Sequence, residues 1–252
     1  MPELSIISVA VESPEWAELL IKSIRKYTIL PHEIIIIDNG SQEDNLATLR
    51  QMAKQGWIKL VENGENRGHG GAIDQGVVLA CGRYVCVTDI DSHFQREGWD
   101  ADLLALYQAN PQTRLIGMLG PDHKPLHPPL FFFERDFILD NKLTFRYMPG
   151  VEGSTDTAQK VYWDILGLGF HVERLPKGPK IYGDTSGDEI WIGGKPTLYH
   201  HWNGTRFLEN RKGGTKQELD GIKLEDHLIG KAKLFQQPLV QEILKSSELK
   251  KK

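Results

Sequence analysis

The sequence predicts an α/β protein built on a doubly wound, mostly parallel sheet flanked by helices. Three observations carry this. Residues 4–94 alternate strand-like and helix-like stretches as four β-then-α units, the order that builds a parallel sheet with right-handed crossovers. Ile34-Ile35-Ile36-Ile37 is apolar on both faces, as a central strand covered by helices on each side must be. Polar clusters also sit at the ends of the predicted strands, where open parallel sheets bind ligands.

The elements follow in order. Leu4 to Val11 is rich in β-branched residues and reads as a buried strand. Ser13 then has N-cap chemistry, with Pro14 at the first helical position and Trp16, Leu19, Leu20, Ile24 and Tyr27 at helical spacing. The isoleucine strand ends at Asp38-Asn39-Gly40-Ser41. Ser41 and Asp44 have capping-box spacing before a helix carrying Leu46, Leu49, Met52 and Ala53. Ile58 to Val61 is a third strand. The glycine-rich run Asn63 to Gly71 opens a helix through Ala80, with Gly82 in the C′ position. Tyr84 to Thr88 is a fourth strand, ending at Asp89 and Asp91.

Beyond Asp91 the pattern loosens. A helix is expected over Ala101–Gln108 and a strand over Leu115–Leu119. A loop with four prolines spans Pro121–Pro129, and another strand covers Phe131–Phe133. Asp156 has the chemistry to cap a helix holding Ala158, Val161, Tyr162, Ile165 and Leu166, stopped by Gly167 and Gly169. Phe170–Leu175 and Pro196–Tyr199 are further strand candidates, and the tail from Leu224 to Leu244 reads as helical.

Composition narrows the class. The 252 residues are 40% hydrophobic and 25% charged, a globular balance. Lys and Arg number 30 against 34 Asp and Glu, a net charge of −4, so the basic footprint of a nucleic-acid binder is missing. No run approaches the ~20 apolar residues of a membrane span, and Met1-Pro2-Glu3 lacks a basic leader. A cytoplasmic location is expected, with peripheral membrane contact through the Lys-rich tail left open. Cys81 and Cys86 read as free buried thiols of a reducing compartment.

Asp89 and Asp91 stand one residue apart at a strand end, so both carboxylates can aim at one place. Hard oxygen ligands suit Mg²⁺ or Mn²⁺, which bridge carboxylates to substrate phosphates. Alone, the pair also fits a capped turn. The turn Asn66-Arg67-Gly68-His69-Gly70-Gly71 precedes a helix whose amides favour anions, yet it lacks the Gly-Lys-Ser/Thr of a Walker A loop and the placement of a dinucleotide fingerprint.

Asp38-Asn39-Gly40-Ser41, then Asn66-Arg67-Gly68-x-Gly-Gly-Ala72, then Gly82-Arg83-Tyr84-Val85 leading to Asp89-Ile90-Asp91, resembles family 2 glycosyltransferases of the GT-A fold in order and spacing. The match is dense over residues 4–94 and fainter through Gly153–Leu175 and Leu198–Thr205. It implies a single GT-A domain over 1–252, with a nucleotide-sugar half at 1–94, an acceptor-side half at 95–205 and a helical extension at 206–252. It implies that Asp38 and Asn39 share the base contact, with Asn in place of a second Asp. Val9, Glu12, Asn66, Arg67, Gly70, Asp89 and Ile90 complete the nucleotide-sugar set. Asp91 becomes the direct metal ligand, joined by a histidine of Tyr199-His200-His201-Trp202-Asn203-Gly204. His201 has the better spacing to Gly204, and His200 is the alternative. Asp156 falls where inverting members hold a general base, although Thr155-Asp156 departs from the usual Glu-Asp; Glu152 and Asp164 are rivals.

The resulting expectation is a Mn²⁺- or Mg²⁺-dependent, inverting transferase moving a sugar from a nucleotide diphosphate, UDP above all, to a hydroxyl of a glycan or other acceptor. Two alternatives remain in view. One is an inactive sugar-nucleotide or glycan-binding protein of the same fold. The other is a nucleotidyltransferase, which would need a glycine-rich loop after the first strand that Val9–Pro14 does not provide.

Overall fold

The computed structural model describes residues 1–118, 126–150, 157–178, 187–201, 218–219, 222–223 and 231–246. Its frame is a seven-stranded sheet. Strands β1 (Leu4–Ala10), β2 (His32–Asp38), β3 (Lys59–Glu62) and β4 (Tyr84–Thr88) are joined by β6 (Thr113–Met118), β7 (His127–Glu134) and β8 (His171–Leu175) in the order β3-β2-β1-β4-β7-β6-β8. Neighbours are parallel except at β7, which runs antiparallel to both β4 and β6. The mostly parallel, doubly wound α/β fold read from the sequence is therefore present, with one reversed strand near its middle.

Strand alternation sends successive side chains to opposite faces. Ile34 and Ile36 join the core under helices α1 (Pro14–Tyr27), α2 (Glu43–Lys54) and α4 (Trp99–Ala109). Ile35 and Ile37 join the core under α3 (His69–Leu79), α5 (Arg135–Asp140) and α6 (Gln159–Gly167). Burying these four side chains stabilises the fold by about 1.5–3 kcal/mol each. Phe131, Phe132 and Phe133 repeat the device on β7, alternating between the same two cores.

A second, antiparallel sheet sits beside the β4 end, in the order β5 (Ser92–Phe94), β10 (Lys195–His201), β9 (Gly187–Ile192). A short hairpin pairs β11 (Glu218–Leu219) with β12 (Ile222–Lys223). The chain then returns as residues 231–235, helical, and α7 (Pro238–Lys245). Leu234, Val240 and Ile243 pack on Trp16 and Leu19, so α1 is covered on two sides.

Several local readings change. Ser41 does not cap α2, whose cap position is Gln42, because its hydroxyl is taken by Asp38. Gly82 is not a helix stop: α3 ends at Leu79, and Gly82 lies against β1, where an added Cβ would fall 2.7 Å from the Ser5 nitrogen. Helix α6 starts at Gln159 rather than at an Asp156 cap, since Ala158 is in the left-handed region at φ 65°. The continuous tail helix breaks at Pro238, which lacks the N–H to extend a preceding helix. Cys81 is exposed, and only Cys86 is a buried thiol. Among the described residues no helix is long and apolar enough to cross a membrane. Asp156, its rival base Glu152 and residues 121–125 of the expected loop lie outside the described residues.

Candidate active site

The site is assembled from strand ends. At the end of β2, the buried Asp38 carboxylate accepts the N–H groups of Gly40 and Ser41, each at 3.1 Å, and the Ser41 hydroxyl. The Ser41 hydroxyl in turn accepts the Glu12 N–H at 2.9 Å. Glu12, itself at φ 48°, turns its carboxylate to the Gln42 N–H at 3.0 Å and to the Asn45 amide. The first two crossover loops are thus tied to each other.

Asn39 ties them to the glycine-rich turn. Its amide donates to Asn66 Oδ1 at 2.9 Å, and its own Oδ1 accepts the Arg67 N–H at 3.0 Å and the Asn63 amide at 3.2 Å. Gly68 precedes α3 at φ 76°. His69, the first residue of α3, places Nε2 3.5 Å from Asp89 Oδ1.

Asp89 and Asp91 follow β4. Across from them, His200 Nε2 lies 3.4 Å from Asp89 Oδ2 and 3.3 Å from Asp91 Oδ1. One ligand atom from each of Asp89, Asp91 and His200 can be chosen so that all lie within 4.8 Å of one another. Burial opposes the charged form of His200, but the carboxylates of Asp91, Asp89 and Asp188 together outweigh it and hold its pKa above the ordinary value. Two carboxylate oxygens and one imidazole nitrogen at this spacing suit a small divalent cation such as Mn²⁺ or Mg²⁺.

The structure separates the two histidines that the sequence left together. β10 pairs with β5 so that His200 faces Ser92, and the His201 N–H donates to the Asp91 carbonyl at 2.8 Å. Alternation then sends His200 toward the carboxylates. His201 points away, fully buried and stacked on Trp16 at 4.7 Å. The preference for His201 from its spacing to Gly204 is corrected: the group of possible ligands contains His200 and not His201.

The remaining sequence-named residues fall into two groups. Asp38, Asn39, Asn66, Arg67, Asp89 and Asp91 stand at the ends of β2 and β4 or in the turn before α3, each held by contacts there. Val9 and Ile90 instead bury their side chains in the two cores. Gly70 abuts the Phe145 carbonyl, where an added Cβ would stand 2.2 Å away, so a close helix-to-chain approach requires it. Asp164 is bound to Lys160 at 2.6 and 2.7 Å. Asp156 and Glu152 lie outside the described residues.

Two neighbours of the site carried no expectation. His69 occupied the variable place of the glycine-rich motif, and its position at a helix start beside an Asp-x-Asp was the available signal. Asp188 is the cross-strand partner of His200 on β9 and is bonded to Lys177 at 2.9 Å; the alternation of Asp188, Ile190 and Ile192 would have marked that strand.

Comparison with known proteins adds a consistent frame. A family model described as glycosyl transferase family 2 matches residues 5–150. A curated relative, the dolichyl-phosphate beta-glucosyltransferase of Drosophila melanogaster, is 30% identical over 90 residues, which is 34% of this chain and 28% of that protein. Among solved structures, a mannosyltransferase of Pyrobaculum calidifontis in complex with GDP-mannose and Mn²⁺ superposes with a TM-score of 0.56 at 19% identity, covering 69% of this chain and 55% of the other. A glucosyl-3-phosphoglycerate synthase of Mycobacterium tuberculosis, with Mn²⁺, UDP and glucosyl-3-phosphoglycerate, gives 0.51 at 17% identity over 69% and 70% of the two chains. The architecture is the one these transferases share, the GT-A fold. The chain spans little more than a quarter of the curated relative and about half of the mannosyltransferase.

Proposed function

This chain belongs to glycosyl transferase family 2, and on that premise we propose that it moves a sugar from a nucleoside diphosphate, UDP in the first instance, to an acceptor hydroxyl. One observation carries the proposal: Asp89, Asp91 and His200 converge from β4 and β10 beside the glycine-rich turn. The dependence on a divalent metal belongs to the same proposal, supported by this donor set and by the Mn²⁺-bearing complexes of the mannosyltransferase and the synthase; the inverting outcome is part of it too, and rests on the role proposed below for Asp156.

Asp91, His200 and Asp89 are the residues that would hold the cation. A bound Mn²⁺ or Mg²⁺ would act as a Lewis acid toward the leaving diphosphate. Asp91 and His200 are nearly enclosed, with side chains 7% and 5% exposed, so their hold on a ligand is weakly screened by solvent. Asp89 is more open and shared with His69, and is proposed to face the donor's ribose as well. Asn39, Asn66 and Arg67 form the base and ribose wall, held in shape by their mutual hydrogen bonds. Asp38 shapes that wall through Gly40 and Ser41. Asp156 is proposed as the base that takes the acceptor proton while the hydroxyl oxygen attacks the anomeric carbon and the diphosphate departs.

The test is transfer or donor hydrolysis with a panel of UDP- and GDP-sugars in the presence of Mn²⁺, run beside calorimetry of UDP with and without the ion. Turnover with at least one donor, lost on chelation, is the expected result. Metal-dependent nucleotide binding without turnover on any donor would leave a binding protein of the same fold.

A further inference from the structure

Asp74 lies on α3, five residues beyond His69, and its carboxylate is committed to a distant stretch of chain. It accepts the Thr144 hydroxyl at 2.5 Å and the Phe145 N–H at 2.8 Å, and it pairs with Arg146 Nε at 3.5 Å. Thr144 Oγ1 also accepts the Arg146 N–H at 3.2 Å. One helical turn toward the start of α3, Gly70 backs directly onto Phe145 and Arg146. Phe145 fills the core between Phe131 and Phe133, and its carbonyl accepts the Ala158 N–H at 3.1 Å.

These contacts fix a direction. Thr144 stands beside Asp74 and Phe145 beside Gly70, so the segment runs against α3 toward its first turn, which is ~5.4 Å away along the axis. The next residues are Tyr147 and Met148. They are 53% and 36% exposed, among the few large apolar side chains on the described surface. Charge-assisted hydrogen bonds at their base hold them more firmly than neutral ones would, and a pre-ordered wall costs less entropy when a ligand meets it.

We propose that Asp74 is a positioning residue that latches residues 144–146 to α3 and so presents Tyr147 and Met148 as the acceptor-side wall of the Asp89–Asp91–His200 site. The wall suits the apolar face of a ring that carries the accepting hydroxyl. This rests on the glycosyl-transfer reading given above, and the two can fail separately.

The experiment compares Asp74→Ala, Asp74→Asn and Tyr147→Ala with the unchanged protein. UDP release from UDP-glucose and Mn²⁺ is measured in water alone and with a panel of alkyl glycosides, beside calorimetry of Mn²⁺ with UDP. In Asp74→Ala and Tyr147→Ala, glycoside-stimulated release should fall about tenfold or more, as misplacement of a positioned group does. Release in water alone and UDP affinity should stay within about threefold, because uniform donor binding is untouched. Asp74→Asn, which can still accept from the Phe145 N–H and donate to Thr144, should retain most of the stimulated rate. Equal loss in all assays, an Asn variant as impaired as the Ala variant, or absence of stimulation by the whole panel overturns the assignment. Should Asp74→Ala fail to fold, Thr144→Val removes one of the same bonds and should show a smaller shift in the same direction. If the unchanged protein releases no UDP at all, the transfer reading has failed; amide exchange at Phe145 and Arg146, faster in Asp74→Ala and unchanged in Asp74→Asn, then decides the latch, and equal exchange in both sinks it.

Discussion

At the end of β2 the Asp38 carboxylate is saturated by its own loop, taking two backbone N–H groups and a hydroxyl within three residues. At the end of β4, beyond β1 in the same sheet, the carboxylates of Asp89 and Asp91 meet His69 and His200 at 3.3–3.5 Å, distances of ion pairs rather than of tight hydrogen bonds. The same side chain at equivalent strand ends thus serves two purposes. A carboxylate whose donors come from its own turn shapes a loop. Two carboxylates from one strand end, met by a histidine from a separate strand, keep the spacing that ligands of one small cation need.

The sharpest way to break this contrast is Asp91→Asn, which keeps the shape and removes the charge. Mn²⁺-dependent UDP binding should vanish in calorimetry, a loss beyond the ~10–100-fold that follows from removing an outer partner of a metal site. Unchanged binding would void the metal reading. His200→Ala, which removes a neutral ligand and leaves both carboxylates, should weaken the same binding by at least that ~10–100-fold, whereas His201→Ala should leave it in place. The His201 variant should instead lose stability of order 1 kcal/mol in urea unfolding, since it gives up the stack on Trp16. Equal effects of the two on metal-dependent binding would refute the assignment by strand face.

The β2 end should respond differently. Asn39→Ala leaves the Arg67 N–H without its acceptor and loosens the Asn66 turn, at about 1–3 kcal/mol of stability, with UDP binding reduced whether or not Mn²⁺ is present. Ser41→Ala is the mildest change. It removes one acceptor from the Glu12 N–H and one donor from Asp38, for about 1 kcal/mol, and metal binding at Asp89 and Asp91 should be indifferent to it.

Much of this was legible before any coordinates. Ile34–Ile37 and Phe131–Phe133 announced two-sided burial because nothing polar interrupts them, and both became central strands with alternate residues in opposite cores. Asp89-Ile90-Asp91 was legible as a pair because i and i+2 share a side, while Ile90, between them, went to the core. Less legible were residues whose partners lie far along the chain. Gly70 was named for the nucleotide-sugar site, and its second duty, clearance for Phe145 75 positions later, left no mark in the local pattern. Ser41 had the spacing of a helix cap and is held instead by Asp38 and Glu12.

The sequence by itself determined the order of strands and helices, the two-sided core and the acidic pair at the β4 end, since periodicity and local chemistry act over a few residues. Only the tertiary structure decided which histidine meets that pair. Adjacent residues of a strand point to opposite faces, and which face looks at Asp89 and Asp91 is set by the register of β10 on β5, more than a hundred positions away in the chain.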